Sequence, residues 1–135
     1  MMTRHILAVV DDMFFAAKIR ATAEALGVDI KFHRRVDSLL AASLEQVPDL
    51  ILVDLHNEKV NAEELAGLLK GKDELKAIPL LGFFSHVQTD LQRAALAAGF
   101  DQVMPRSVFA RDLAEILGSY GSPTVREGSE RDQDR

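Results

Sequence analysis

Two hydrophobic patterns alternate along the chain. Short continuous apolar runs, Ile6 to Val10, Leu50 to Val53 and Pro79 to Phe84, have the form of strands covered on both faces, as in a parallel sheet. Between them lie segments with helical spacing. From Met13 to Leu26 the apolar residues Phe15, Ile19, Ala23 and Leu26 recur at steps of three and four, and Gly27 follows where a positive φ ends a helix. Val28 to His33 alternates apolar and polar and predicts a more exposed strand. Ser38 to Gln46 predicts a short helix closed by Pro48. Asn61 followed by Glu64, and Thr89 followed by Gln92, have the capping-box form and open helices running to about Lys70 and to Gly99. Phe100 to Met104 predicts the last strand, and Ser107 caps a final helix through Leu117.

Strand followed by helix, five times over, predicts an α/β fold: a parallel sheet with helices on both faces. Right-handed crossovers make the flavodoxin-like doubly wound sheet, order 2-1-3-4-5, the simplest topology. The domain is expected over residues 1–118; residues 119–135, dominated by Gly, Ser, Pro and charges, read as a disordered, solvated tail.

Composition narrows the function. At 135 residues the chain is one domain, and 47% hydrophobic with 27% charged residues is the balance of a globular protein, not a disordered one. It has no cysteine, which removes disulfide scaffolds, thiolate metal sites and cysteine nucleophiles. A formal net charge of −5 argues against nucleic acid as a partner. No apolar run approaches a membrane span, and the short N-terminal run is not a signal peptide, so the expectation is a cytoplasmic protein.

In doubly wound folds chemistry gathers at the carboxyl ends of the strands. Here those ends read Asp11-Asp12, then Asp54, then Phe84-Ser85-His86, then Met104-Pro105-Arg106-Ser107. The first and third strands are neighbours in this order, so three carboxylates are expected at one edge. Such a cluster repels itself without a cation and suits Mg²⁺, which takes few carboxylates and leaves room for phosphoryl oxygens. Plainer roles stand beside this one. Asp54 serves as a loop cap or ion-pair partner, Asp12 as the N-cap of the first helix, and Arg106 as a salt bridge that takes the metal's place. His56 and His86 lack metal-ligand spacing and read as solvated loop residues; Phe14 and Phe15 both read as core.

These residues resemble a response-regulator receiver domain. The likeness lies in "HILAVVDDMFF", in "PDLILVDL", in "IPLLGFFSH" and in "AALAAGFDQVMPRS", and covers about residues 3 to 118. It implies that Asp54 accepts a phosphoryl group, and that Asp11, Asp12, Asp54 and the backbone carbonyl of His56 hold Mg²⁺. It implies that a base at the end of strand five pairs with the phosphoryl group, and that a hydroxyl at the end of strand four turns inward to it. Counted from Gly99 the base is Arg106; counted from the proline it is Met104. Counted from Pro79 the hydroxyl position holds Phe84, and Ser85 serves only after a slip of one. The aromatic usual in mid-strand five is replaced by Val103 or Gln102, and the loop after Asp54 lacks the usual Met-Pro and Asp-Gly elements.

Two functions follow. One is a single-domain receiver in a two-component phosphorelay, not a turnover enzyme. Its partners would be a sensor histidine kinase or phosphotransfer protein and an output protein met by contact, with no membrane, as a monomer or weak homodimer. The other is a pseudo-receiver, a protein-interaction module independent of phosphorylation. A small nucleotide-binding enzyme fits less well, because Asp11-Asp12-Met13-Phe14 stands where a glycine-rich phosphate loop would be.

Overall fold

The computed structural model describes residues 3–120. The tail expected over residues 119–135 lies outside the described residues from position 121 onward. Five strands, β1 (His5–Val9), β2 (Asp29–Phe32), β3 (Leu50–Asp54), β4 (Leu80–Phe84) and β5 (Gln102–Pro105), form one parallel sheet in the order β2-β1-β3-β4-β5. The helices are α1 (Met13–Leu26), α2 (Val36–Glu45), α3 (Ala62–Lys70), α4 (Thr89–Ala98), α5 (Arg106–Arg111) and α6 (Leu113–Ser119). This is the flavodoxin-like doubly wound arrangement that the alternation predicts.

Every residue of β1, β3 and β4 is buried, which is why these three strands read as unbroken apolar runs. Of the two edge strands, β2 alternates in exposure and β5 is fully buried only at Met104. Side chains on one face of the sheet pack against Phe15, Ile19 and Ala23 of α1, Phe109 of α5, and Leu113, Ile116 and Leu117 of α6. Those on the other face meet Leu39 of α2, Leu65, Ala66 and Leu69 of α3, and Ala95 of α4. Each fully buried aliphatic or aromatic side chain contributes about 1.5–3 kcal/mol relative to exposure. Gly82 in β4 is required by packing: a Cβ there would stand 2.9 Å from the Leu55 side chain and 3.2 Å from Phe100.

The helix signals held at two places. Gly27 ends α1 at φ 73°, and the Asn61 side chain accepts a bond from the backbone N–H of Glu64 to open α3. Elsewhere the boundaries move. α2 starts at Val36 rather than Ser38, because Arg35 is extended and forms the N-cap. Thr89 is not a cap but the first residue of α4, behind an extended Gln88. Ser107 lies inside α5, and the expected single last helix is interrupted at Asp112 (φ −100°, ψ 15°). Backbone bonds from Asp112 N–H to Val108 O and from Ile116 N–H to Asp112 O still span that break. β5 begins at Gln102, two residues later than expected, and leaves Phe100 as a buried plug. Phe14, expected in the core, is 91% exposed, and Leu26, at the end of the apolar spacing of α1, is 45% exposed. Leu26 is the last helical residue, and Phe14 lies one position off the buried stripe of α1.

Candidate functional site at the carboxyl edge

Asp54 is the last residue of β3 and sits opposite Phe83 of β4. Side chains alternate along a strand, so Asp54 shares the face of Leu50 and Leu52, the face covered by α1, α5 and α6. It is only 8% exposed. One carboxylate oxygen accepts the backbone N–H of His56 at 3.0 Å, closing a tight turn at the strand end. Burial pushes the Asp54 carboxyl above its ordinary value, against the His56 N–H and the positive charge of Arg106, which pull it down.

Asp12 does two jobs. Its Oδ1 caps α1, accepting the N–H groups of Phe14 (2.9 Å) and Phe15 (3.0 Å), and its Oδ2 accepts the Arg106 guanidinium at 2.8 Å. The Phe15 N–H and then Arg106 hold this carboxyl below its ordinary value. Asp11 is exposed and meets Lys59 Nζ at 3.6 Å. Asp11, Asp12 and Asp54 thus stand at the carboxyl edge of the sheet, and Arg106 reaches Asp12. Met104, the other register, is buried in the core on the α1 side.

Below this pocket lies an aromatic floor. Phe83 stacks on Phe109 (ring centroids 4.6 Å apart), and Phe15 leans on Phe83 edge-on at 5.3 Å. The Arg106 guanidinium lies 4.0 Å from the centroid of Phe15. Its planar cation is therefore held between a ring face and a carboxylate.

At the end of β4 Phe84, the position counted from Pro79, packs with Leu55 and Phe100 among the buried residues on the α2–α4 side; Ser85 is exposed one residue further on. Val103 is half-buried in mid-β5, and Gln102 is exposed. His86 is exposed and His56 half-buried, both in loops, and the two meet. The His86 N–H donates to His56 Nε2 at 3.3 Å, and the two rings meet at 5.6 Å. Lys59 was legible only as a basic residue in the loop after Asp54; its contact with Asp11 had no local signal.

The donors of Asp11, Asp12, Asp54 and the His56 carbonyl are all oxygen, the chemistry a hard divalent cation takes. Two of the three carboxylates are already held by protein cations. Among the described residues no three His, Asp or Glu side chains converge as a ready ligand set.

No family model matches the chain. It is 24% identical over 119 residues to the polar-differentiation response regulator DivK of Brucella abortus, spanning 88% of this chain and 97% of DivK. It is 28% identical over 104 residues to an uncharacterized 76.5 kDa protein of Thiocystis violacea; that match covers 77% of this chain and 15% of the length of that protein. Among solved structures it is similar to the chemotaxis response regulator CheY4 of Vibrio cholerae (TM-score 0.74, 16% identity, 86% of this chain and 97% of that one). It is similar also to the Mn(2+)-bound form of response regulator Rcp1 (TM-score 0.73, 19% identity, 90% and 96%). The chain therefore has the fold of the response-regulator receiver domains.

Proposed function

We propose that the chain is a receiver module of a two-component phosphorelay, with Asp54 as the residue that takes the phosphoryl group. The observation that carries this reading is the buried Asp54 carboxyl at the end of β3, on the sheet edge that also carries Asp11, Asp12 and Arg106. A carboxylate oxygen of Asp54 attacks the phosphorus of a phosphohistidine on a sensor kinase or phosphotransfer protein. The O–P bond forms as the N–P bond breaks, the electron pair returns to the imidazole nitrogen, and Asp54 becomes an acyl phosphate. Phosphoryl transfer asks little of a protein beyond positioning and charge neutralisation. The turn closed by the His56 N–H orients the carboxylate, and burial excludes water from the acyl phosphate once it has formed.

Asp11, Asp12, Asp54 and the His56 carbonyl are the groups that would hold Mg²⁺, which when bound supplies positive charge to the phosphoryl oxygens. Rcp1, similar in fold, is known in a Mn(2+)-bound form. Arg106 supplies a second positive charge, at the start of α5. Output is by protein contact, in the cytoplasm, and the module turns over no substrate of its own. Among the described residues no helix is long and apolar enough to cross a membrane.

A second reading, a pseudo-receiver that binds partners without phosphorylation, is favoured by Phe84 in the hydroxyl position and by the Arg106–Asp12 ion pair. Intact mass after incubation with acetyl phosphate and Mg²⁺ separates the two. Gain of one phosphoryl mass in the wild type and not in Asp54→Asn supports the receiver. No gain in a folded wild type sinks it and leaves the interaction module.

A further inference from the structure

Resting on the metal-binding part of that reading, we propose that Arg106 is an internal cation that competes with the divalent metal for Asp12, so that metal entry requires Arg106 to let go. The argument starts from unequal ion pairs. Lys59 and Asp11 meet at 3.6 Å with both side chains about half exposed or more (60% and 49%), a pair that water and salt screen and that yields readily. Arg106 and Asp12 meet at 2.8 Å with side chains 32% and 36% exposed. The guanidinium is also seated on the Phe15 ring, which is itself packed on Phe83 and Phe109.

Three of the roughly four lone-pair positions of the Asp12 carboxylate are taken. Oδ1 is taken by two helix N–H groups, and Oδ2 by Arg106. A metal ion that approaches Asp12 meets either the capping Oδ1 or the Oδ2 that Arg106 already holds, and two cations at one oxygen repel each other. Losing the cap would leave the first turn of α1 without an acceptor, whereas Arg106 leaves behind only its seat on Phe15 and a side chain that can turn to water. Arg106 is therefore the group that moves. Its hold on Asp12 lowers the metal affinity of the edge, and metal binding reports itself as release of the guanidinium.

Magnesium titration of the whole chain by calorimetry, wild type against Arg106→Met, tests this. Methionine keeps an apolar stem over Phe15 and removes the charge. The expected result is metal binding at least roughly tenfold tighter in Arg106→Met, the size of effect seen when groups supporting a metal ligand are changed, with Arg106→Lys in between. Equal affinity in wild type and Arg106→Met overturns the proposal and leaves the metal site standing. No binding in either folded protein overturns both. Should Arg106→Met fail to fold, the Nε–H resonance of Arg106 in the wild type decides: it shifts together with the Phe14 and Phe15 amides at metal saturation, and a resonance that stays still while metal binds overturns the proposal.

Discussion

The two ends of the sheet carry the same residue type to opposite effect. At the amino end, aspartates complete the fold. Asp49 accepts the His5 N–H at 2.8 Å and returns its own N–H to the His5 carbonyl at 2.7 Å. Asp101 does the same with Leu80, at 2.7 and 2.9 Å. Asp29 accepts the Nδ1 of buried His5 at 2.7 Å, and Arg4 ties the last turn of α6 to the start of β1 through Leu117 O, at 2.7 Å. Each carboxylate there satisfies a backbone or ring N–H that burial would otherwise leave unpaired. At the carboxyl end three backbone N–H groups face three acids, two of them on Asp12 and one on Asp54. Asp12 and Asp11 lean on cations from distant parts of the chain, and Asp54 is buried at the cost of a raised pKa. A carboxylate that closes a strand ladder stabilises the protein. One that is buried at a strand end with a single backbone donor works against stability and is available for chemistry.

Changes at the two ends should therefore separate, and the largest effect belongs to what supports the carboxyl end from below. Phe83→Ala removes the centre of the aromatic floor and is expected to lower stability by about 3–5 kcal/mol, read by chemical denaturation. At the amino end, Asp101→Ala leaves the N–H of fully buried Leu80 without an acceptor and should cost about 1–3 kcal/mol. Arg4→Ala, which unties α6, is expected to cost about 1–2 kcal/mol and to raise amide exchange selectively in the last helix. A loss at Asp101 no larger than that of a surface change would break the comparison at its amino end. The smallest effect has the opposite sign: Asp54→Asn should stabilise the chain slightly at neutral pH.

Much of this was legible in the residues, for physical reasons that can be named. β1, β3 and β4 are buried on both faces, so burial wrote itself as unbroken apolar runs. Gly27 and Asn61 act through bonds to near neighbours, so their roles are local. The place of Asp11, Asp12 and Asp54 at one edge of the sheet followed once the strand order was inferred. What stayed hidden depends on contacts between distant positions. Arg106 was placed at the edge by counting from Gly99, yet its double seat on Asp12 and Phe15 joins α5 to the start of α1, and no local pattern records it. The pairing of Lys59 with Asp11 and the touching rings of His56 and His86 are of the same kind. The break at Asp112 and the outward turn of Phe14 were missed because an apolar stripe locates a helix better than it locates its ends.

The pH dependence of the Asp54→Asn effect tests the contrast most directly. Between the ordinary carboxylate pKa and the raised value of Asp54 the folded chain holds more protons than the unfolded one. Wild-type stability therefore falls as pH rises through that window and stays lower above it. Asparagine carries no such cost. Denaturation of both proteins across pH should show Asp54→Asn the more stable at pH 7, with the gain vanishing as pH falls below about 4, the ordinary range of an aspartate. A variant less stable than wild type at pH 7, or a difference that does not change with pH, would contradict the account and make Asp54 one more structural acid.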